Sequence, residues 1–233
     1  MMPNAWIPWG QWLAVIAMTA EHLARFVLPD AWGLAPWATL VGRIAFPLFA
    51  AMVAWHAVHN TRDPLGYALR MLAIALIAQL PYALVLDTER LNVVFTLALG
   101  LLIAVPLVAS RWGSLVLGLG YAIAATFIAP ALEYGVAGLL LVPAFVLAFR
   151  PCPAAWRPLL ALPALVIGYQ LNPGLLLNLV SLATVLAILG LLVRCTGHLT
   201  ARLRPMPRAL WLSWYPLHFA VIAVIHTTTT VAG

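Results

Sequence analysis

The longest uncharged stretch of this sequence is PLLALPALVIGYQLNPGLLLNLVSLATVLAILGLLV, which covers residues 158–193 and contains no Asp, Glu, Lys or Arg. A helix needs only about 20 apolar residues to cross a bilayer, so this stretch has room for two crossings. The whole chain has a similar composition, because 65% of its 233 residues are hydrophobic and 8% are charged. Soluble domains carry about 25% charged residues. The sequence therefore excludes a water-soluble fold and predicts a polytopic membrane protein.

Four further uncharged runs cover residues 1–20, 91–110, 112–132 and 209–233. Together with the turn residues between them, the apolar runs predict an all-α transmembrane helix bundle of about nine spans, with a range of eight to ten. The predicted spans are residues 9–28, 36–58, 65–86, 91–109, 112–129, 135–149, 157–171, 174–193 and 208–226. At about 25 residues for a span and its turn, these use the whole chain. Residues 1–233 are therefore expected to form one integral membrane domain.

The basic residues predict the orientation of this bundle. All twelve are Arg, and nine fall on one side of a nine-span path: Arg62, Arg70, Arg111, Arg150, Arg157, Arg194, Arg202, Arg204 and Arg208. The connections on the other side hold Arg90 and four acidic residues, Asp30, Asp87, Glu89 and Glu133. Because short cytoplasmic loops are enriched in basic residues, we expect the Arg-rich side in the cytoplasm. The expected location is a bacterial inner membrane, with the N-terminus cytoplasmic and the C-terminus periplasmic.

Ionisable side chains inside the predicted helices mark a candidate site, since each costs at least about 2.5–3.5 kcal/mol near the bilayer centre. Glu21, His22 and Arg25 lie in the second half of the first helix, and Glu21 is one turn from Arg25. At about 1.5 Å per residue, Arg43 lies about 10 Å from the outer end of the second helix. His218 lies about 15 Å into the last helix, near the midplane. These overlapping depths predict one polar pocket that the three helices share.

Each of these side chains has a structural alternative. Glu21 and Arg25 can neutralise one another near a helix end, and Arg43 can anchor its helix at the interface. His22 alone is also explained as a hydrogen-bonded packing residue. His218 is harder to explain in this way, because a histidine among apolar neighbours at mid-depth needs a partner.

Four uncharged polar residues reach a similar depth in the outer half: Gln79, Tyr82, Asn92 and Tyr134. We expect these, with Arg25, to bind substrate, and the alternative is that they form hydrogen bonds between helices. No His-x-x-x-His or Cys-x-x-Cys spacing occurs, so the sequence indicates no zinc site and we expect no metal. Phosphate-binding loops and serine elbows are absent as well.

Five stretches stand out when they are taken in order: Thr-Ala-Glu-His-Leu-Ala-Arg (19–25), Gly-Arg-Ile-Ala-Phe-Pro-Leu-Phe-Ala (42–50), Leu-Asn-Val-Val-Phe-Thr-Leu-Ala-Leu-Gly (91–100), Glu-Tyr-Gly-Val-Ala-Gly-Leu-Leu (133–140) and Trp-Tyr-Pro-Leu-His (214–218). Together they resemble the TraX family, whose founding member is the F-pilin acetylase. The resemblance extends from the first helix to the last. One departure is Glu21-His22, where the family usually has Asp-His, which lengthens the carboxylate by one methylene.

The resemblance implies an integral inner-membrane acetyltransferase that moves acetyl from acetyl-CoA to the N-terminal amine of a conjugative pilin, in a type IV secretion system. Its matching residues are Glu21, His22, Arg43, Phe46, Pro47, Asn92, Tyr134 and His218. Of these, Phe46 and Pro47 are expected to shape the second helix. The expected partners are the pilin, acetyl-CoA and the lipid bilayer, without nucleic acid.

Acetyl transfer from a thioester to an amine requires a base and a donor for the oxyanion. We expect His22 to be the base, oriented by Glu21 or another carboxylate, while Glu21 can instead pair with Arg25 or Arg43. His218 is then a second acid or base, or a transient acetyl carrier. Arg43 is expected to stabilise the oxyanion.

Other functions are consistent with the same residues. The bundle can be a small transporter or proton-relay subunit, a membrane acyltransferase acting on a glycan or another acceptor, or a scaffold of a secretion apparatus. Stabilisation by CoA distinguishes the enzyme from a proton-linked carrier. A scaffold predicts that the buried charges can be replaced by apolar residues without loss of function.

Overall fold

The computed structural model describes residues 4–109, 112–194 and 203–231. Two arginines that the sequence assigns to the Arg-rich side, Arg111 and Arg202, lie outside the described residues. Within the described ranges the chain is helical throughout and contains no β-strand, apart from an isolated parallel bridge between Leu91 and Leu132. The predicted all-α class is confirmed.

Ten α-helices build the described part of the chain. They are α1 (Ile7–Phe26), α2 (Ala35–Gly42), α3 (Ala45–Trp55), α4 (Pro64–Leu86), α5 (Val93–Ala109), α6 (Trp112–Ile128), α7 (Gly135–Phe149), α8 (Arg157–Gly168), α9 (Leu175–Arg194) and α10 (Arg208–Val231). All nine predicted segments are occupied by helix. The main difference from the prediction is that the second segment is broken into α2 and α3. Smaller differences lie at helix ends: α1 begins and ends two residues earlier than predicted, α8 ends at Gly168 instead of residue 171, and α10 continues to Val231 instead of ending at residue 226.

Three helical segments of the described chain are long and apolar enough to cross a membrane: Ala35–Asn60, Pro64–Leu86 and Arg208–His226. Five shorter apolar helices accompany them: Val93–Val108, Val116–Ala131, Gly135–Phe149, Ala154–Gly168 and Leu175–Gly190. On α6, the exposed side chains of Leu119, Ile123 and Phe127 follow one another at spacings of four residues. This spacing places them on one face of the helix, which is suited to contact with lipid. The chain is a membrane protein.

Short connections reverse the chain direction between successive segments, so alternate connections lie at the same end of the bundle. We call the end with residues 27–34, 87–92, 129–134 and 169–174 the Arg-poor end. The Leu91–Leu132 bridge and a hydrogen bond from Arg43 to Asn172 tie three of these four regions into the bundle. The opposite end, with residues 61–63, 150–156 and 203–207, is the Arg-rich end.

Helix α3 forms the centre of the core. Ten of its eleven residues are buried, and it packs against α1, α5, α7 and α9. Its small residues Ala50, Ala51 and Ala54 are completely buried, so neighbouring helices approach it closely. Helix α10 closes the bundle on one side by packing along α4 and α1. The site described below lies where α1, α3 and α10 meet the Arg-poor end.

Candidate active site

Two histidines from opposite ends of the sequence form a direct pair. His22 Nδ1 on α1 lies 2.9 Å from His218 Nε2 on α10. The planes of the two rings differ by 5° and the ring centroids are 5.1 Å apart. With that nitrogen separation, the rings must meet edge to edge in nearly one plane. His218 Nδ1 lies 2.9 Å from the carbonyl oxygen of Trp214, one turn earlier on the same helix.

These contacts fix the positions of the protons when both histidines are neutral. A carbonyl oxygen only accepts hydrogen bonds, so Nδ1 of His218 carries a proton and its Nε2 is the acceptor. Nδ1 of His22 must therefore donate to His218, which leaves Nε2 of His22 with its lone pair. Among the described residues, no protein group hydrogen-bonds to that nitrogen. The pair thus presents one basic nitrogen, that of His22.

Glu21 forms an ion cluster with two arginines, Arg43 and Arg25. The Glu21 carboxylate forms a close ion pair with Nη2 of Arg43, and its second cation is Arg25, with 3.4 Å between Nη1 and the carboxylate oxygen. Arg43 also donates to the Asn172 side chain at 3.2 Å and to the Thr39 carbonyl at 3.4 Å. No hydrogen bond joins Glu21 to His22 in the described structure. Of the two sequence-based alternatives for Glu21, the structure places it with the arginines.

The break between α2 and α3 positions Arg43. At the break, the Ser181 hydroxyl of α9 lies 3.5 Å from the backbone carbonyl of Arg43. Ser181 also accepts a hydrogen bond from Asn172 at 2.8 Å. Gly42 precedes the break, and a Cβ atom added there would lie 1.8 Å from a carboxylate oxygen of Glu21. Only glycine leaves room for the carboxylate to reach Arg43.

Glu133 is a site residue that sequence reasoning missed. It lies in the connection before α7, is half-buried, and accepts a hydrogen bond from the Tyr82 hydroxyl. Burial raises the pKa of its carboxyl group to about 7, although the positive charges of Arg43 and Arg25 act in the opposite direction. Its position in a predicted loop made it look like an ordinary solvated charge. The one available signal was its place beside Tyr134 in a stretch that resembles the family.

Aromatic side chains form the walls around these charges. Tyr134 stacks on Phe46 with ring centroids 4.1 Å apart, and the Arg43 guanidinium lies 5.8 Å from the Tyr134 ring. Tyr215 packs edge-on against His218 and forms a hydrogen bond with the backbone of Val93. His22 lies within electrostatic range of Arg25 and Arg43, and Tyr215 lies within range of Glu133, so the histidine pair and the ion cluster are neighbouring parts of one site. Solvent exposure decreases from the Arg-poor end inward: the Arg25 side chain is 42% exposed, while His218 is 7% exposed.

Two of the residues expected to bind substrate form a structural brace outside this pocket. Asn92 is completely buried and donates to the Ala75 carbonyl at 2.8 Å and to the Gln79 side chain at 2.9 Å. Its side-chain oxygen Oδ1 accepts a hydrogen bond from the Val94 amide at the start of α5. Gln79 donates to the Arg90 carbonyl. Both side chains thus hold α4 to the start of α5, as the interhelical alternative describes.

An apolar cavity of about 100 Å³ adjoins the histidine pair on the side of the Arg-rich end. Trp214 and Tyr215, two residues of α10 that contact His218, form part of its wall. The rest of the wall comes from α1, α3, α4 and α5, and includes Val15, Val53, Tyr67 and Leu97. The pocket therefore has a polar mouth at one end and an apolar extension toward the other.

This arrangement has the groups that an acyl transfer needs. Nε2 of His22 can accept a proton, and the Glu133 carboxylate can accept a second. Arg43 has five N–H groups, of which three are used by Glu21, Asn172 and Thr39. The remaining two have no protein acceptor in the described part of the chain and can stabilise a developing negative charge.

Comparison with known proteins gives one match. The family model described as TraX protein matches residues 10–226, which is nearly the whole chain. No curated protein matches, and no solved structure matches. The matched region contains every residue of the pocket, from Glu21 in α1 to His218 in α10.

Proposed function

This chain belongs to the TraX family, and from that membership we propose that it is an acetyltransferase of the bacterial inner membrane. The proposed donor is acetyl-CoA, and the proposed acceptor is the N-terminal amine of a conjugative pilin. We also propose that the Arg-rich end faces the cytoplasm, since basic residues accumulate on that side. The C-terminus is then periplasmic.

The observation that carries the proposal is the free Nε2 of His22. A histidine acts as a general base when one ring nitrogen is unprotonated and the other is held by a hydrogen bond. In serine hydrolases a carboxylate holds the second nitrogen, whereas here His218 does so at 2.9 Å. His218 can take over the positive charge that develops when His22 accepts a proton, because its Nε2 already accepts the hydrogen bond.

The proposed reaction balances as follows. Glu133 accepts the proton that converts the acceptor ammonium to an amine. The amine nitrogen attacks the thioester carbonyl, His22 removes its proton, and the two remaining N–H groups of Arg43 stabilise the oxyanion. The intermediate then collapses: the C–S bond breaks, and the proton on His22 passes to the departing thiolate. The products are the amide, free CoA and one proton, which Glu133 releases to water at the Arg-poor end.

The shape of the pocket supports entry of the two substrates from opposite ends. The amine is polar and fits the mouth at the Arg-poor end, where Glu133 and Arg25 lie. The apolar cavity beside Trp214 and Tyr215 extends toward the other end and suits the acyl end of a thioester. The donor phosphates would then remain near the Arg-rich end, which avoids burying them in the bilayer.

A proton-relay carrier remains the second candidate, because the histidine pair is a short proton path. The path ends at the Trp214 carbonyl, however, and an apolar cavity follows it. CoA binding separates the two functions. An acetyltransferase at 100 times the Kd of its ligand gains about 2.7 kcal/mol of stability, whereas a carrier without a CoA site gains nothing.

The direct test is the intact mass of the pilin after co-expression with this protein. We expect a mass increase of one acetyl group with the wild-type chain and none with His22→Ala. His56→Ala is the matched control, because His56 lies at the Arg-rich end and hydrogen-bonds Asn60. Membrane insertion of each variant is checked by a monodisperse profile in detergent. A pilin that remains acetylated with His22→Ala would contradict the proposed role of His22, and an unmodified pilin with the wild type would contradict the proposed acceptor.

A further inference from the structure

A cavity with polar groups in its wall lies at the Arg-rich end, away from the candidate active site. Its volume is about 650 Å³, and it lies between α3, α7, α8 and α9. Trp55, His59 and Phe149 form its aromatic side, and Arg150 and Arg157 contribute its charges. Trp55 follows Arg43 by twelve residues, or about 18 Å along the helical rise, and the buried face of α3 separates the two sites. Ligand-binding pockets commonly have volumes of about 300–1,000 Å³.

The electrostatics of this cavity favour an anion. None of the residues that line it is acidic. The connection from Arg150 to Arg157 reads Arg-Pro-Cys-Pro-Ala-Ala-Trp-Arg and contains no Asp or Glu. Among the described connections of this end, the one acidic residue is Asp63, and it caps α4 by accepting from the Gly66 amide at 2.8 Å. The wall of this partly enclosed space therefore contains two arginines and no acidic residue.

The first turn of α8 adds to the same field. Arg157, Pro158 and Ala161 all line the cavity, so the N-terminal end of this helix faces it. The residue before the helix, Trp156, makes no side-chain cap hydrogen bond. A helix N-terminus carries partial positive charge and free amide groups, which favour phosphate. This feature and the two arginines are independent contributions to one anion site.

The remaining wall indicates that the anion belongs to a lipid. Ala161 of α8 and Leu189 of α9 give the cavity an apolar side. Leu159 and Leu162 of the same helix are exposed on the bundle surface, and Trp156 is exposed next to the rim. Tryptophan favours the headgroup region of a bilayer, and basic pockets between helices on the cytoplasmic side bind anionic headgroups. A phosphate in the cavity can therefore be continuous with acyl chains beside α8 and α9.

We propose that this cavity binds a phosphate group, supplied by an anionic phospholipid of the surrounding membrane. The same chemistry occurs in the phosphates of CoA, which are the other possible source. The cavity lies on the α7–α9 side of α3, whereas the apolar cavity beside His218 lies between α1, α3, α4, α5 and α10. This separation favours the lipid over the donor of the proposed reaction.

The test is a titration of delipidated full-length protein in detergent, read by native mass spectrometry. One arm uses phosphatidylglycerol, a second uses phosphatidylcholine with the same acyl chains, and a third uses CoA. We expect saturable binding of phosphatidylglycerol in preference to phosphatidylcholine. A hydrogen bond to a charged group contributes roughly tenfold or more to binding, so Arg150→Gln with Arg157→Gln should weaken the binding of phosphatidylglycerol at least about tenfold.

The matched control is Arg62→Gln with Arg70→Gln, which removes the same charge at the same end without touching the cavity wall. An equal loss in both double variants would show general charge attraction and overturn the proposal. Equal binding of the two lipids would overturn it as well. If the cavity double variant loses CoA binding and retains the lipid, the phosphate comes from CoA instead. None of these results depends on acetyl transfer, so the proposal can fail while the proposed function stands.

Discussion

At the residue scale, the properties of the histidine pair depend on a single backbone atom. The Trp214 carbonyl holds the proton of His218 on Nδ1, and this determines which nitrogen of each ring is free. If the His218 ring rotated by about 180° around its Cβ–Cγ bond, its Nε2 would no longer face His22. The basic nitrogen of His22 would then lose its orientation. Thr19 supports the local geometry, because it accepts a hydrogen bond from the Trp214 indole at 3.0 Å.

This dependence predicts different effects for two replacements of His218. Gln places a carbonyl oxygen near the position of Nε2 and can still accept the proton of His22, but it cannot take up positive charge. We therefore expect His218→Gln to reduce kcat less than His218→Ala does. Removing a general base usually costs about 10²–10⁴ in rate, and His22→Ala should show a loss of that size.

The measurement is single-turnover acetylation of a pilin N-terminal peptide by purified variants. Equal rates for the Gln and Ala variants would show that the hydrogen bond between the two rings does not orient His22. If His218 carries the acetyl group, both variants should be inactive, and a rapid quench should trap acetylated wild-type protein.

Glu133 predicts the pH dependence. Its pKa of about 7 means that the carboxylate, the form that accepts a proton, becomes more abundant as the pH rises through neutrality. If Glu133 deprotonates the acceptor, the rate should increase between about pH 6 and pH 8 and then level off. In Glu133→Gln this rise should disappear, together with most of the activity at neutral pH.

The control for the pH experiment is Glu89→Gln, which removes a carboxylate from another connection at the Arg-poor end. Its profile should follow the wild type. A rise near pH 7 that persists in Glu133→Gln would assign the ionisation to a different group. An acceptor whose amine titrates in the same range would shift the profile of every variant, so acceptors with different amine pKa values identify that case.

At the element scale, the broken second segment gives the clearest structural prediction. An added methyl group at Gly42 would overlap the Glu21 carboxylate, with its Cβ 1.8 Å from an oxygen and 2.8 Å from the Glu21 Cβ. Gly42→Ala must therefore displace Glu21 or separate α1 from α2. Overpacking typically costs about 1–3 kcal/mol, which corresponds to a lower Tm by about 2–4 °C per kcal/mol in a chain of this size.

Gly120→Ala on α6 is the control, because no atom lies within 4 Å of its added Cβ. Differential scanning fluorimetry in detergent should show an unchanged or slightly higher Tm for this variant, since Ala favours helix over Gly. A normal Tm together with normal activity in Gly42→Ala would show that the Glu21–Arg43 contact can move without consequence.

The sequence could predict the helices of this chain because hydropathy reports position along the bilayer normal. All nine segments follow from counting residues. Counting gives no rotation about a helix axis, which is why Glu21 was not assignable to either Arg43 or His22. Asn172 and Glu133 lie in connections, where no helical hydropathy pattern marks them. They were therefore not predicted as site residues.

The break between α2 and α3 was not predicted for a related reason. Gly-Arg within a continuous apolar run gives no stop signal as strong as proline. The break becomes understandable only with its tertiary partners, the Ser181 hydroxyl and the Glu21 carboxylate. The brace of Asn92 and Gln79 shows the converse limit, since polar residues at the right depth were expected at the pocket and instead hold two helices together.

At the scale of the whole molecule, the two ends of the bundle differ in both charge and shape. The Arg-poor end has a polar mouth that contains carboxylates, and the Arg-rich end has basic residues and an apolar cavity leading toward the same histidines. Because the candidate site lies between these ends, we expect a donor and an acceptor to reach it from opposite sides without sharing an entrance. This asymmetry makes sidedness the property that distinguishes the proposed enzyme from an acetyltransferase that binds both substrates on one surface.

We therefore expect acetyl-CoA to be used only from the Arg-rich side. In inverted membrane vesicles, which expose the cytoplasmic face, added acetyl-CoA should support acetylation of a pilin inserted in the same membrane. In right-side-out vesicles it should not, because CoA carries phosphates that do not cross a bilayer. Detergent solubilisation of the right-side-out vesicles should restore the reaction, which controls for inactive protein. Activity that is found only in sealed right-side-out vesicles would reverse the proposed orientation. Equal activity in both kinds of vesicle would show that acetyl-CoA reaches its site from either side of the membrane.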